Sequence, residues 1–193
     1  MDILTKIKTI MFEPTKFFTK SQKEIGIKGA FKYLTILALF SSLLTFIVSY
    51  FFQPFQTSFI ERLIGSDVLS EVATPTLLDA LSSYAAILIL SFLIVGILHL
   101  WIKLFKGKAK YKKTYQLYVY GTTPSFLLSW IPFVGNFAWI YSLIVLITGT
   151  SIIHKISKTR SMILYLIPVI LLIILMVIAT IILLTSIAAN GGI

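Results

Sequence analysis

Cysteine is absent from these 193 residues, which excludes disulfides, thiolate metal sites and a cysteine nucleophile. Charge is scarce: Asp, Glu, Lys and Arg make up 12% of the chain, about half the share of a soluble domain. Acid is the scarcer sign, with 7 Asp and Glu against 17 Lys and Arg and a net charge of +10. No glycine-rich phosphate loop follows a strand pattern, so nucleotide binding is not expected. No Asn-x-Ser/Thr glycosylation acceptor occurs. At roughly 100–200 residues per domain, there is no room for a separate catalytic domain beside one compact unit.

Apolar residues fill the space that charge leaves. They make up 58% of the chain, and mean hydropathy is +0.95. A soluble core of this size cannot hide that excess, so composition excludes a soluble enzyme. Only about 20 consecutive apolar residues can cross a bilayer as a helix, because every backbone polar group there must be bonded within the segment. Tyr33 to Phe52 and Ala80 to Ile102 meet that length without a charge. Thr114 to Ile153 is charge-free over 40 residues, enough for two helices, with Ile131-Pro132-Phe133-Val134-Gly135-Asn136 as the break. Ser161 to Ile187 is almost wholly Ile, Leu, Val and Met.

The expected fold is therefore an all-α polytopic membrane protein, a bundle of five transmembrane helices with an N-terminal interfacial amphipathic helix. A cytoplasmic basic segment, 1–32, precedes a membrane domain over 33–187. Its spans run at about 33–52, 80–102, 114–131, 137–153 and 161–187, and an outer tail covers 188–193. The first span is too long for a signal-peptide core and is read as retained.

Orientation follows from the cations, which collect on the cytoplasmic side of membrane proteins. Lys6, Lys8, Lys16, Lys20, Lys23, Lys28 and Lys32 precede span one. Lys103, Lys106, Lys108, Lys110, Lys112 and Lys113 separate spans two and three. Lys155, Lys158 and Arg160 separate spans four and five. Five spans put 16 of the 17 on one side, leaving only Arg62 opposite, beside Glu61, Asp67, Glu71 and Asp79. The expectation is N-terminus cytoplasmic, C-terminus outside, in a prokaryotic plasma membrane. Trp130, Trp139 and Tyr141 at the outer turn, and Trp101, Tyr111 and Tyr115 at the basic loop, suit the two interfaces.

Before span one, Ile3, Leu4, Ile7, Ile10 and Met11 fall on one helical face, with Lys6 and Lys8 off it. Such a helix suits the cytoplasmic interface plane. Glu13-Pro14 should end it, and Phe17 and Phe18 are expected to dip into the interface. Ser21-Gln22-Lys23-Glu24 has the form of a capping box ahead of span one. In the outer segment 53–79, Ile60, Leu63 and Ile64 suggest a short surface helix, and Thr74-Pro75 a turn into span two. Asp79 suits a capping role there.

No Asp, Glu, Lys or Arg lies inside a span, and such residues are what mark ion paths, proton relays and intramembrane catalysis. No catalytic residue, cofactor or metal is expected. His99 and His154 are the only histidines; two neutral ligands without a carboxylate make a poor metal site, so each is expected simply to reach the interface. Lys6, Lys8, Lys16, Lys103, Lys106, Lys108, Lys110, Lys112 and Lys113 are expected at anionic headgroups, each worth about 1 kcal/mol there. Nucleic acid is not an expected partner.

Small and polar residues concentrate in two places. Ser41, Thr45 and Ser49 recur at helical spacing on span one, where small residues let backbones approach. Tyr120, Gly121, Thr122, Thr123 and Pro124 on span three, with Pro132, Gly135 and Asn136 beyond, form a candidate lipid or partner groove. Pro124 removes the backbone bond to Tyr120, so a kink is expected there, with Thr122 or Thr123 bonding the freed carbonyls. Span five, apolar all round, should meet lipid widely.

Four stretches resemble the Yip domain family, five-span membrane proteins that interact with Rab GTPases, and their prokaryotic relatives. They are Phe12-Glu13-Pro14-Thr15-Lys16-Phe17-Phe18, Tyr120-Gly121-Thr122-Thr123-Pro124, Ile131-Pro132-Phe133-Val134-Gly135 and His154-Lys155-Ile156-Ser157-Lys158-Thr159-Arg160. The likeness covers roughly residues 10–187 and implies the compact prokaryotic form. The family's cytoplasmic Asp-Leu-Tyr-Gly-Pro stretch is missing, and its Gly-Tyr-x-x-x-Pro motif is matched only loosely at Tyr120 to Pro124, so GTPase binding is not carried over. The expected function is a non-enzymatic, membrane-organising or adaptor protein, with an anionic bilayer and a membrane-protein partner or second copy as associates. The alternative is a small transporter, channel or lipid-moving protein that uses the hairpin of spans three and four.

Overall fold

A computed structural model describes residues 2–64 and 75–189. Every element in them is helical: α1 Ile3–Phe12, α2 Pro14–Ser21, α3 Lys28–Ile64, α4 Leu77–Leu104, α5 Tyr111–Gly121, α6 Thr123–Leu128, α7 Gly135–Ile153 and α8 Lys158–Ala189. Thr74, Asp67, Glu71 and the last four residues of the expected outer tail lie outside the described residues, as do the side chains of Ile60, Leu63 and Ile64.

Four helices (Lys28–Phe55 within α3, then α4, α7 and Lys158–Ser186 within α8) are long and apolar enough to cross a membrane. The fifth passage is made by α5 and α6 in tandem. They are separated only at Thr122, whose φ of −87° and ψ of 1° leave the α region. The break falls two residues before Pro124, where the sequence places a kink, and Thr122 Oγ1 donates to the Tyr118 carbonyl at 2.9 Å. The 18 residues from Tyr111 to Leu128 span about 27 Å at 1.5 Å per residue, close to a hydrocarbon core of roughly 30 Å.

The bundle keeps its buried polar side chains among an apolar core and shows an apolar exterior. The helix buried on most sides is α5, sequence YKKTYQLYVYG, which hides Thr114, Tyr115, Gln116, Leu117, Val119, Tyr120 and Gly121. The outer surface instead presents Ile89, Leu100, Phe137, Ile144 and Ile182, each more than half exposed. From Ile167 to Leu184, α8 shows large apolar side chains on every side. Water would not tolerate so continuous an apolar surface. In lipid the arrangement is the stable one: tails solvate Ile and Leu, while polar side chains must find partners among the helices.

Local signals explain the ends of the elements. Asp2 caps α1 through the Thr5 amide, which with the Thr5 hydroxyl holds the Asp2 carboxyl below its usual range. Glu13 ends α1, and Pro14 opens α2. At α4, Thr76 and Asp79 form a reciprocal capping box, the role expected of Asp79. Ser21-Gln22-Lys23-Glu24 does not form one: the Ser21 hydroxyl donates back to the Phe18 carbonyl, and Glu24 turns to Tyr120. The outer segment also differs from expectation. Helix α3 continues through Pro54 to Ile64 rather than stopping before a separate surface helix.

The N-terminal pair α1–α2 lies against the bundle. Ile10 is fully buried, Ile3 and Ile7 pack on the core, and Phe17 and Phe18 are buried in protein rather than dipping into the interface. Gly149 of α7 makes the room: a Cβ there would stand 2.7 Å from the Phe18 ring and 2.6 Å from Leu117 Cδ1. The Phe17 ring meets Tyr120 edge-on at 5.0 Å. Farther along α7, Tyr141 hydroxyl donates to the Met11 carbonyl.

Candidate functional site

The basic segments converge at one end of the bundle. Gln22 Nε2 reaches the Ile152 carbonyl at 3.5 Å, and the Lys108 amide bonds the His154 carbonyl at 3.1 Å. Lys113 Nζ donates to the Ser21 and Glu24 carbonyls at 3.1 and 2.7 Å. Trp101 Nε1 donates to the Leu164 carbonyl at 2.9 Å, tying α4 to α8. The loops after α2, α4 and α7 therefore form one basic face. Lys106 and Lys155, with φ of 64° and 53°, turn the chain after α4 and α7 at this same face, the left-handed geometry that ends many helices.

Two polar clusters hold this face. In the first, the Tyr120 hydroxyl donates to the Glu24 carboxylate, 2.8 and 2.9 Å from its two oxygens. It accepts from Lys6 Nζ at 3.3 Å, and that ammonium stands 5.2 Å from the centre of the Tyr120 ring. Next to it, Gln116 Nε2 donates to the Glu24 and Gly26 carbonyls, and Gln116 Oε1 accepts from Lys113 at 3.0 Å. In low dielectric each of these groups is costly unless bonded, so α5 clasps the 21–26 turn through paired polar groups.

The second cluster joins the two histidines, which sequence reading sends separately to the interface. His99 Nδ1 and His154 Nε2 both contact the Thr114 hydroxyl, at 2.7 and 3.1 Å. His154 is fully buried. Its Nδ1 has no hydrogen-bond partner among the described residues, and Gly107 packs so close that a Cβ there would stand 2.8 Å from it. Burial, reinforced by the neighbouring His99 and Lys103, pushes the His154 imidazole down to about 4. It is neutral at pH 7. No group of three or more His, Asp or Glu that would suit a metal ion occurs among the described residues.

Of the nine lysines expected at headgroups, Lys8, Lys16, Lys103, Lys106, Lys108, Lys110 and Lys112 are exposed, the last four on the loop after α4 that helps form this face and Lys103 at the end of α4 beside it. Lys16 pairs with Glu13 at 2.7 Å. Lys6 and Lys113 point inward, into the clusters just described. Sequence alone gave no signal that these two differ from their neighbours; apart from Gln116 beside Lys113, their partners are distant in the chain.

The expected groove divides. Tyr120, Gly121, Thr123 and Pro124 are buried in the bundle and Thr122 is half-buried. Tyr33 and Thr123 share a hydrogen bond of 3.1 Å. Gly135 packs directly on the Ser129 backbone. Pro132 and Asn136 line a cavity of about 580 Å³ between the Thr45–Phe55 stretch of α3 and the α6–α7 turn. A second cavity of about 350 Å³ lies between α3 and the start of α4. Both open at the end opposite the basic face. The Ser41–Ser129 hydroxyl contact, 3.3 Å, bridges α3 to the α6–α7 turn.

Comparison with known proteins fits this architecture. Residues 8–181 match the model of the Yip1 domain. An uncharacterized protein of Methanocaldococcus jannaschii is 29% identical over 124 residues, covering 64% of this chain and 82% of that protein. No solved structure matches the chain.

Proposed function

The chain belongs to the Yip1 domain family as a multi-pass integral membrane protein, and from that premise we propose that it is a non-enzymatic organiser of the membrane. Its basic face is cytoplasmic and gathers anionic lipid or an acidic membrane partner. The observation that carries this reading is the convergence of three cation-bearing segments, far apart in sequence, on one end of the bundle, with Lys103, Lys106, Lys108, Lys110 and Lys112 exposed there. A headgroup layer attracts each such lysine by about 1 kcal/mol, so several acting together hold a lipid patch. The same cations support a cytoplasmic N-terminus, an outer C-terminus and a prokaryotic plasma membrane. Packing disfavours a pore: behind the basic face, Tyr115, Leu117 and Tyr120 of α5 are wholly buried.

Reconstitution in giant vesicles of phosphatidylcholine with 20% (about one lipid in five) phosphatidylglycerol tests the reading, since anionic lipids are what polybasic surfaces recruit. Fluorescent phosphatidylglycerol should concentrate around the protein, and less so at high salt. Exchange of Lys103, Lys106, Lys108, Lys110 and Lys112 for Gln should abolish the enrichment. An unchanged distribution in wild type would refute the proposal.

A further inference from the structure

The outer half of the bundle is hollow where the cytoplasmic half is solid. Helix α3 carries the hydroxyl stripe Ser41, Thr45 and Ser49, whose spacing suggests close helix packing. Thr45 and Ser49 instead line both cavities, one on each flank of the helix. The two spaces are therefore neighbours across a single ridge of small side chains. Together they offer room of the order that an amphiphile occupies in a binding site, about 300–1,000 Å³.

Their polar equipment is asymmetric. Neither cavity is lined by Lys, Arg or His. On the α4 flank the wall carries the Asp79 carboxylate with Ser42 and Ser83, an acceptor-rich surface of negative charge. On the other flank it carries Trp130, whose indole N–H is buried without a partner among the described residues, and the Asn136 amide. A buried donor left unpaired costs on the order of 1–3 kcal/mol, a debt that a ligand oxygen would cancel. Between these polar ends, Phe46, Phe52 and Phe55 supply apolar wall.

We propose that these cavities form one site for a zwitterionic bilayer lipid with a primary ammonium headgroup, taken from the outer leaflet. The ammonium pairs with Asp79, the ester or phosphate oxygen accepts from Trp130, and an acyl chain lies along the α3 stripe. An anionic headgroup without an ammonium has no cation to meet and faces Asp79. A quaternary ammonium carries no N–H to donate to Asp79 or the serine hydroxyls. The inference goes beyond the proposed function and shares with it only the identification of the outer side.

Delipidated protein in detergent, offered equal amounts of dioleoyl phosphatidylethanolamine, phosphatidylcholine and phosphatidylglycerol and read by native mass spectrometry, tests it. The first lipid should be retained several-fold over the other two. Asp79→Asn, which keeps a side chain able to cap α4, should level that preference. Ser49→Phe should abolish retention. Because Ser49→Phe endangers folding, a phosphatidylethanolamine carrying a diazirine on its acyl chain is also applied to wild type. Crosslinks should fall within 45–55 and 129–136. Equal retention of all three lipids, a preference surviving Asp79→Asn, or crosslinks confined to α8 would overturn the proposal. None of these readouts depends on the basic face, so failure here leaves the lipid-gathering test standing, and the reverse.

Discussion

His99 and His154, on different helices and 55 residues apart, contact one hydroxyl, that of Thr114, at 2.7 and 3.1 Å. A hydroxyl has one proton to donate and two lone pairs to accept with, so it donates to at most one ring, and at least one of the two ring nitrogens facing it carries a proton.

Acid should loosen the basic face, because it drives a proton onto the fully buried His154 ring. His154 is held down to about 4 in the folded state, against about 6.5 unfolded. The unfolded chain binds the proton first, so the stabilisation is complete above pH 6.5 and declines as pH falls toward 4. Between pH 7.5 and 4.5 the loss from this group should be about 2–3 kcal/mol. Thermal unfolding in detergent at the two pH values, compared with His154→Gln, measures it. The variant should start less stable and lose less on acidification; equal losses would show that His154 is not the responsible group.

Tyr120→Phe should detach the N-terminal helices. The hydroxyl is the link between Lys6 and Glu24, and its removal leaves a half-buried carboxylate short of a donor. The expected cost is about 1–3 kcal/mol. Hydrogen exchange should rise in residues 3–27 and change little in α4 and α8. Protection unchanged at the N-terminus would mean that the apolar contacts of Ile10, Phe17 and Phe18 hold α1–α2 unaided.

Gly149 and Phe18 should behave as a coupled pair. Gly149→Leu drives a side chain into the Phe18 ring and Leu117, an overpacking worth about 1–3 kcal/mol. Phe18→Ala opens a cavity and costs about 3–5 kcal/mol alone. The double variant should be more stable than the sum of the two losses, because the new side chain enters the vacated space. Simple additivity would show that the two positions do not share a space.

Much of this architecture was legible because lipid imposes coarse rules. Charge-free length marks the crossings, and the Pro124 kink and the Asp79 cap are local effects that sequence carries directly. The clasps are not local. Nothing near Lys6 or Lys113 distinguishes them from the exposed lysines beside them; their partners, Tyr120 and the 21–26 turn, lie over 85 residues away. The same holds for His99 and His154. The stripe Ser41, Thr45 and Ser49 has two outcomes: Ser41 is buried between helices, as its spacing suggests, while the smallness of Thr45 and Ser49 leaves room for a cavity. Spacing alone cannot choose between the two.

The absence of cysteine makes the sidedness directly measurable. Single cysteines at exposed positions (Lys8→Cys, Lys112→Cys and Lys158→Cys) replace solvent-facing side chains that hold no contact in the core, so each variant should fold. Asn136→Cys reports on the opposite end. In intact cells a membrane-impermeant maleimide should label only position 136, and the three lysine positions should react only after permeabilisation. The result bears on packing as well as orientation. The Lys113–Glu24 carbonyl bond and the Lys108–His154 backbone bond exist only if the 105–113 loop shares an end with the N-terminal segment and the α7–α8 turn. Were position 112 labelled from outside while position 8 stayed protected, α3 and α4 would not both cross and those contacts would be impossible. The lysines would then have no common surface to act from.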